Sequence, residues 1–110
     1  MQAPFPQQCE AEELHSMLQS PDAPCLVDVR EKWEVDICQL PGAIHIPLGQ
    51  LPNRLDDLPR DRDIVVYCHH GVRSLQASSM IRMAGFSRST SLRGGIDAWS
   101  NRIDVNIKKY

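Results

Sequence analysis

No stretch of the sequence stays apolar for the roughly 18 residues a transmembrane helix requires, so a helical membrane span is not expected. Strong charge of either sign is also missing. Twelve Lys and Arg stand against 14 Asp and Glu, a net charge of −2, with a pI near 6.0. Nothing therefore points to nucleic acid or an anionic membrane as a partner. The opening "MQAPFPQQCEAEEL" has neither the basic n-region nor the apolar h-region of a secretory signal. Four cysteines occur, at positions 9, 25, 38 and 68, with no C-x-x-C pair among them. Widely spaced thiols without an export signal read as reduced, in a cytoplasmic protein. Internal repeats and low-complexity tracts are absent.

One further absence is local. From Ile64 to Ile96, 33 residues pass without a single Asp or Glu, although several would be expected at the chain's overall frequency. The same stretch carries Arg73, Arg82, Arg88, Arg93, His69 and His70, so an anion would be drawn to it.

What is present suits one ordinary globular domain of 110 residues, 42% hydrophobic and 24% charged. A loose Pro/Gln-rich tail is expected over 1–9. "CEAEELHSMLQS" reads as a helix by the spacing of Leu14, Met17 and Leu18, although it lacks a Ser or Thr cap. "CLVDV" (25–29), "AIHI" (43–46), "IVVY" (64–67) and "STSL" (89–92) read as short strands. Helices are expected over "REKWEVDICQ", over "PLGQLPNRLDDL" opened by Pro47, over 72–84 with Gly85 as its stop, and over "GGIDAWSNRI". Residues 106–110 are left as a tail. Strands alternating with helices predict an α/β fold, a parallel sheet covered on both faces, with ligands at the carboxyl ends of strands.

Cys68 is the first residue beyond the strongest strand, in the loop "CHHGVRS". Most free cysteines are small buried hydrophobes, and that reading suits Cys9, Cys25 and Cys38. A strand-to-helix loop is a poor place to hide a core residue. It is a good place for a nucleophile, because a thiolate is stabilised where backbone N–H groups and a helix N-terminus converge. Gly71 permits the tight cradle, and Ser74 can donate or accept locally. Zinc is a poorer reading of Cys68, His69 and His70, since adjacent loop residues diverge and no second ligand pair exists; no metal or cofactor is expected. His69 and His70 suit the pocket mouth, where they would add partial positive charge, and a general-base role for either stays open.

Four motifs in order then carry a resemblance: "LVDVRE" (26–31), "LPGAIHIPL" (40–48), "VVYCHHGVRS" (65–74) and "LRGGIDAW" (92–99). Over about residues 10–105 the chain resembles single-domain rhodanese-like (thiosulfate sulfurtransferase) proteins. The resemblance implies a rhodanese-like three-layer fold, a central, mainly parallel five-stranded sheet between helices. It implies that Cys68 takes a sulfane sulfur from a small anionic donor such as thiosulfate, forming a persulfide. A thiol, cyanide or a protein acceptor then receives that sulfur. Amides of the loop formed by His69, His70, Gly71, Val72 and Arg73 would hold the persulfide. Arg73 matches the basic residue at the loop end, either touching substrate or fixing the loop through an ion pair with Asp28. Asp28 and Arg30 look architectural, with Arg30 pairing Glu34 four residues on. Trp33 and Trp99 suit either the pocket wall or the core, and the core is the expectation. The family usually carries a His where this chain has Gln39.

Two other readings compete. Phosphatases that share this fold place five residues between cysteine and arginine, whereas four (69–72) separate Cys68 from Arg73. The smaller ring suits one extra sulfur better than a tetrahedral phosphate, and the acid-free stretch supplies no proton donor. Rhodanese-like domains also serve as non-catalytic docking or regulatory modules, commonly without the cysteine that this chain keeps.

Overall fold

The computed structural model describes residues 5–110. Five strands form one sheet in the order β1-β5-β4-β2-β3, with every pairing parallel. They are β1 (Gln8–Cys9), β2 (Cys25–Asp28), β3 (Ile44–His45), β4 (Ile64–Tyr67) and β5 (Ser89–Leu92). Parallel neighbours need crossovers, and the chain supplies α1 (Ala11–Leu18), α2 (Lys32–Ile37), α3 (Val72–Met83) and α4 (Gly95–Arg102). Among the described residues no helix is long and apolar enough to cross a membrane.

Period-2 alternation along β4 sorts the core onto two faces. Ile64, Val66 and Cys68 join Val27, Ile46, Leu51, Ala77, Ile81 and Phe86 on one side. Val65 and Tyr67 join Leu14, Leu26, Leu40, Leu92, Ile96 and Trp99 on the other. All four residues of β2, β4 and β5 are buried, as expected of strands covered on both faces.

The polar strand β5 is explained by its partner. Ser74 Oγ lies 2.7 Å from Ser91 Oγ, and Ser78 Oγ lies 2.9 Å from Ser89 Oγ. Two turns of α3 thus meet two same-face residues of β5, with Ala77 fully buried beside them. Small side chains let helix and strand approach closely, so the buried face of α3 is built on Ser74, Ala77 and Ser78 as well as Ile81.

Several expectations are corrected. Of the tail read over 1–9, Gln8 and Cys9 form the edge strand β1, paired with Ser91 and Leu92, while residues 1–4 lie outside the described residues. The segment after Pro47 is two 3₁₀ turns, Leu48–Asn53 and Leu55–Asp57, in place of an α-helix. Pro52 lies inside the first and has no N–H to continue an α-helical ladder. Helix α1 starts without Ser or Thr because Glu13 Oε1 accepts the Glu10 amide at 2.9 Å, completing a capping box. Trp33 is 61% exposed on the short α2, whereas Trp99 is buried as expected.

Candidate active site

The carboxyl end of β4 delivers Cys68 to a turn that closes on its own sulfur. The Gly71 amide donates to Cys68 Sγ at 3.1 Å and the Ser74 amide at 3.3 Å, with Ser74 Oγ 3.4 Å away. Gly71 makes this possible with φ of +101°, as the N-cap of α3. The helix axis and two oriented N–H groups therefore converge on one sulfur atom, an arrangement that stabilises negative charge there. Cys68 itself is 1% exposed.

A second element fixes this turn from behind. The first amides of α4 reach across, Ile96 N to Cys68 O at 2.9 Å and Asp97 N to His69 O at 3.1 Å. Gly95 permits that contact, because a Cβ there would stand 2.4 Å from His69 O and 2.5 Å from Cys68 O. Its role lay unread inside the motif "LRGGIDAW".

The charged residues pair differently from the sequence expectation. Arg30 is fully buried and engages Asp28, with Nη2 2.7 Å from Oδ2 and Nε 3.0 Å from Oδ1. Its remaining donors reach Cys38 O at 2.6 Å and the Tyr110 hydroxyl at 3.0 Å. Glu34 pairs instead with Arg73, through bonds of 2.7 and 2.8 Å. Asp28 thus holds Arg30 and Glu34 holds Arg73, in place of the expected pairs Arg30–Glu34 and Arg73–Asp28. Asp28 precedes Arg30 by two residues on a buried strand end, so the guanidinium turns back under it rather than along α2.

Glu34 is the hub that sequence reasoning missed. Its carboxylate also accepts from the Glu31 amide at 2.9 Å and from Tyr110 OH at 2.9 Å. The Arg73 bonds, outweighing burial, lower its pKa to about 2. Arg73 is thereby committed to an ion pair that anchors the end of the loop.

Along the loop, the imidazoles of His69 and His70 stack at 3.9 Å instead of diverging, and Tyr110 stacks on His69 at 3.9 Å with planes 10° apart. Burial, helped by neighbouring His70, lowers the His69 pKa, which works against the positive charge expected there. Asp97 stands close by, its ligand atoms and those of the two histidines within 4.8 Å of one another. Lys109 Nζ approaches that carboxylate at 3.3 Å. Asp97 and Glu34 also show that an acid-free stretch of sequence does not make an acid-free site. Val72, expected in the loop, is 79% exposed and starts α3.

The other thiols are placed in other surroundings. Cys9 and Cys25 are buried in the core, and burial pushes the Cys9 thiol up to about 12 and raises that of Cys25.

The rhodanese-like domain family matches residues 10–102. This chain belongs to the rhodanese-like family. A sulfurtransferase of Allochromatium vinosum is 37% identical over 91 residues, which are 83% of this chain and 85% of that one. The probable adenylyltransferase/sulfurtransferase MoeZ of Mycobacterium tuberculosis is 39% identical over 100 residues, 89% of this chain but 26% of that protein. Among solved structures, the human single-domain sulfurtransferase TSTD1 superposes with a TM-score of 0.80 at 26% identity, covering 92% of this chain and 98% of that one. These relatives are named sulfurtransferases, and a rhodanese-related protein of Thermoplasma volcanium also superposes, with a TM-score of 0.80 at 27% identity over 88% of this chain and 93% of that one.

Proposed function

We propose that the chain is a sulfurtransferase that carries a sulfane sulfur on Cys68. The observation that carries this reading is the convergence of the Gly71 and Ser74 amides on Cys68 Sγ, at 3.1 and 3.3 Å. In the first step the Cys68 thiolate attacks the outer sulfur of thiosulfate. The S–S bond of the donor breaks, and sulfite leaves with its electron pair. Cys68 is left as a persulfide whose terminal sulfur bears the negative charge. In the second step a thiolate or cyanide attacks that terminal sulfur, and the Cys68 thiolate departs into the amides that held it before.

Arg73 serves this cycle from a distance by fixing the loop through Glu34, and Asp28 with Arg30 props the floor beneath it. Replacing Cys68 with Ser should abolish sulfur transfer from thiosulfate to cyanide and leave the melting profile close to that of the wild type. Transfer at the wild-type rate by that variant would exclude Cys68 as the carrier. A wild-type protein that takes no sulfur from thiosulfate or from organic persulfides would instead favour the non-catalytic docking role.

A further inference from the structure

We propose that Tyr110 is a positioning residue of the Cys68 loop, holding both of its ends at once. At the first end its ring lies flat on His69, the residue that follows Cys68, at 3.9 Å and 10°. At the second end its hydroxyl donates to Glu34 Oε1 at 2.9 Å, and that carboxylate grips both terminal nitrogens of Arg73. Arg73 immediately precedes Ser74, whose amide points at the sulfur. One side chain therefore touches the start of the loop directly and its end through a single carboxylate.

The phenol is fully used in this role. Its one proton goes to Glu34, and its oxygen accepts from Arg30 Nη1 at 3.0 Å. Trp33 meets the ring in a T-shaped arrangement, at 5.9 Å with planes 84° apart. Burial pushes the Tyr110 hydroxyl up to about 12, so it stays a donor across the physiological range. Val105, Asn106, Lys108 and Lys109, which lead to it, are exposed, whereas Ile107 and Tyr110 turn inward and pack against the core face that holds Tyr67 and Trp99.

The kinetic consequence rests on the sulfur-transfer reading; the geometry does not. The test compares the wild type with Tyr110→Ala and Tyr110→Phe in three measurements: steady-state transfer from thiosulfate to cyanide, the alkylation rate of Cys68, and the NMR titration of the His69 ring. Loss of the whole side chain should lower kcat about tenfold, the order expected when a reacting group is held less firmly, with a smaller change in KM. The His69 titration should move up toward the ordinary histidine value in the Ala variant, because the covering ring is gone. His70, Arg73, Asp97 and Glu34, which also face that ring, remain in place. In the Phe variant the stack survives, so the His69 titration should stay at its wild-type position. Its kcat should fall by a few-fold through the lost Glu34 bond.

A Tyr110→Ala protein with wild-type kcat and an unmoved His69 titration overturns the proposal. If that variant does not fold, Tyr110→Phe decides, and a wild-type kcat there removes the second end of the clamp and the proposal with it. If the wild type transfers no sulfur, the function reading fails alone. The His69 titration then still decides for or against Tyr110.

Discussion

Two strand-to-helix turns lie side by side at the carboxyl end of the sheet, one after β4 and one after β5. Both end in a glycine with positive φ that caps the next helix, Gly71 at +101° and Gly94 at +77°. They differ in length. Four residues, Cys68 to Gly71, lead into α3, but only Arg93 and Gly94 lead into α4. The longer turn has enough backbone to wrap a side chain, and it wraps the sulfur of Cys68. The shorter one has no such room, and its helix start donates its amides to the carbonyls of Cys68 and His69. The two abut so closely that a Cβ on Gly71 would stand 3.1 Å from Gly94 N. One turn holds the sulfur, and the other holds the turn.

The comparison breaks most severely at Gly95. Alanine there would drive a Cβ into His69 O at a φ of +63°. The combined backbone strain and overpacking should cost about 2–4 kcal/mol of stability, read by urea titration, and the proposed transfer should fall with it. Unchanged stability and rate in Gly95→Ala would mean that α4 does not brace the loop.

A smaller loss is expected from Glu34→Gln, which keeps the shape but weakens the grip on Arg73. The Arg73 side chain is 35% exposed, so solvent screens part of the effect, and about 1–2 kcal/mol is expected. This pair also sets a pH dependence. Glu34 is held below its ordinary value of 4.5, at about 2. Its contribution is therefore complete above pH 4.5 and is lost as the pH falls toward about 2. Acid titration of the Gln variant should lack that part of the loss; a profile parallel to the wild type would remove Glu34 as the anchor.

The mildest change is Ser74→Ala. The Ser74 amide that faces Cys68 Sγ remains, while the hydroxyl contacts to Cys68 and Ser91 disappear. About 1 kcal/mol of stability and a few-fold loss of transfer are expected. A loss as complete as that of Cys68→Ser would shift the weight of the cradle from backbone amides to the hydroxyl.

Much of this arrangement could be read before any coordinates. The runs at 25–29 and 64–67 read as buried strands, and the position of Cys68 past the second makes it the site candidate. Local periodicity, however, says nothing about partners fixed by tertiary packing. The four-residue spacing from Arg30 to Glu34 suggests a helical ion pair. Asp28 instead draws Arg30 under the strand end, leaving Glu34 for Arg73, 39 residues away. Tyr110 sits 80 residues from Arg30 and carries no local signal at all. Of the amides in the expected cradle of residues 69–73, that of Gly71 donates to Cys68 Sγ, and the helix start adds that of Ser74, which lies outside the expected range.

The central claim is that the loop cysteine, Cys68, carries the sulfur. Two backbone amides at a helix start point at its Sγ, whereas burial raises the pKa of Cys9 and Cys25 and Cys38 Sγ lies 3.8 Å from Arg30 Nη1. Mass spectrometry of the protein after incubation with thiosulfate, followed by peptide mapping under non-reducing conditions, tests it most directly. The mass of one sulfur atom should appear on the peptide containing Cys68 and should disappear when cyanide is added. The same mass on the peptides of Cys9, Cys25 or Cys38, with Cys68 unmodified, would contradict the account.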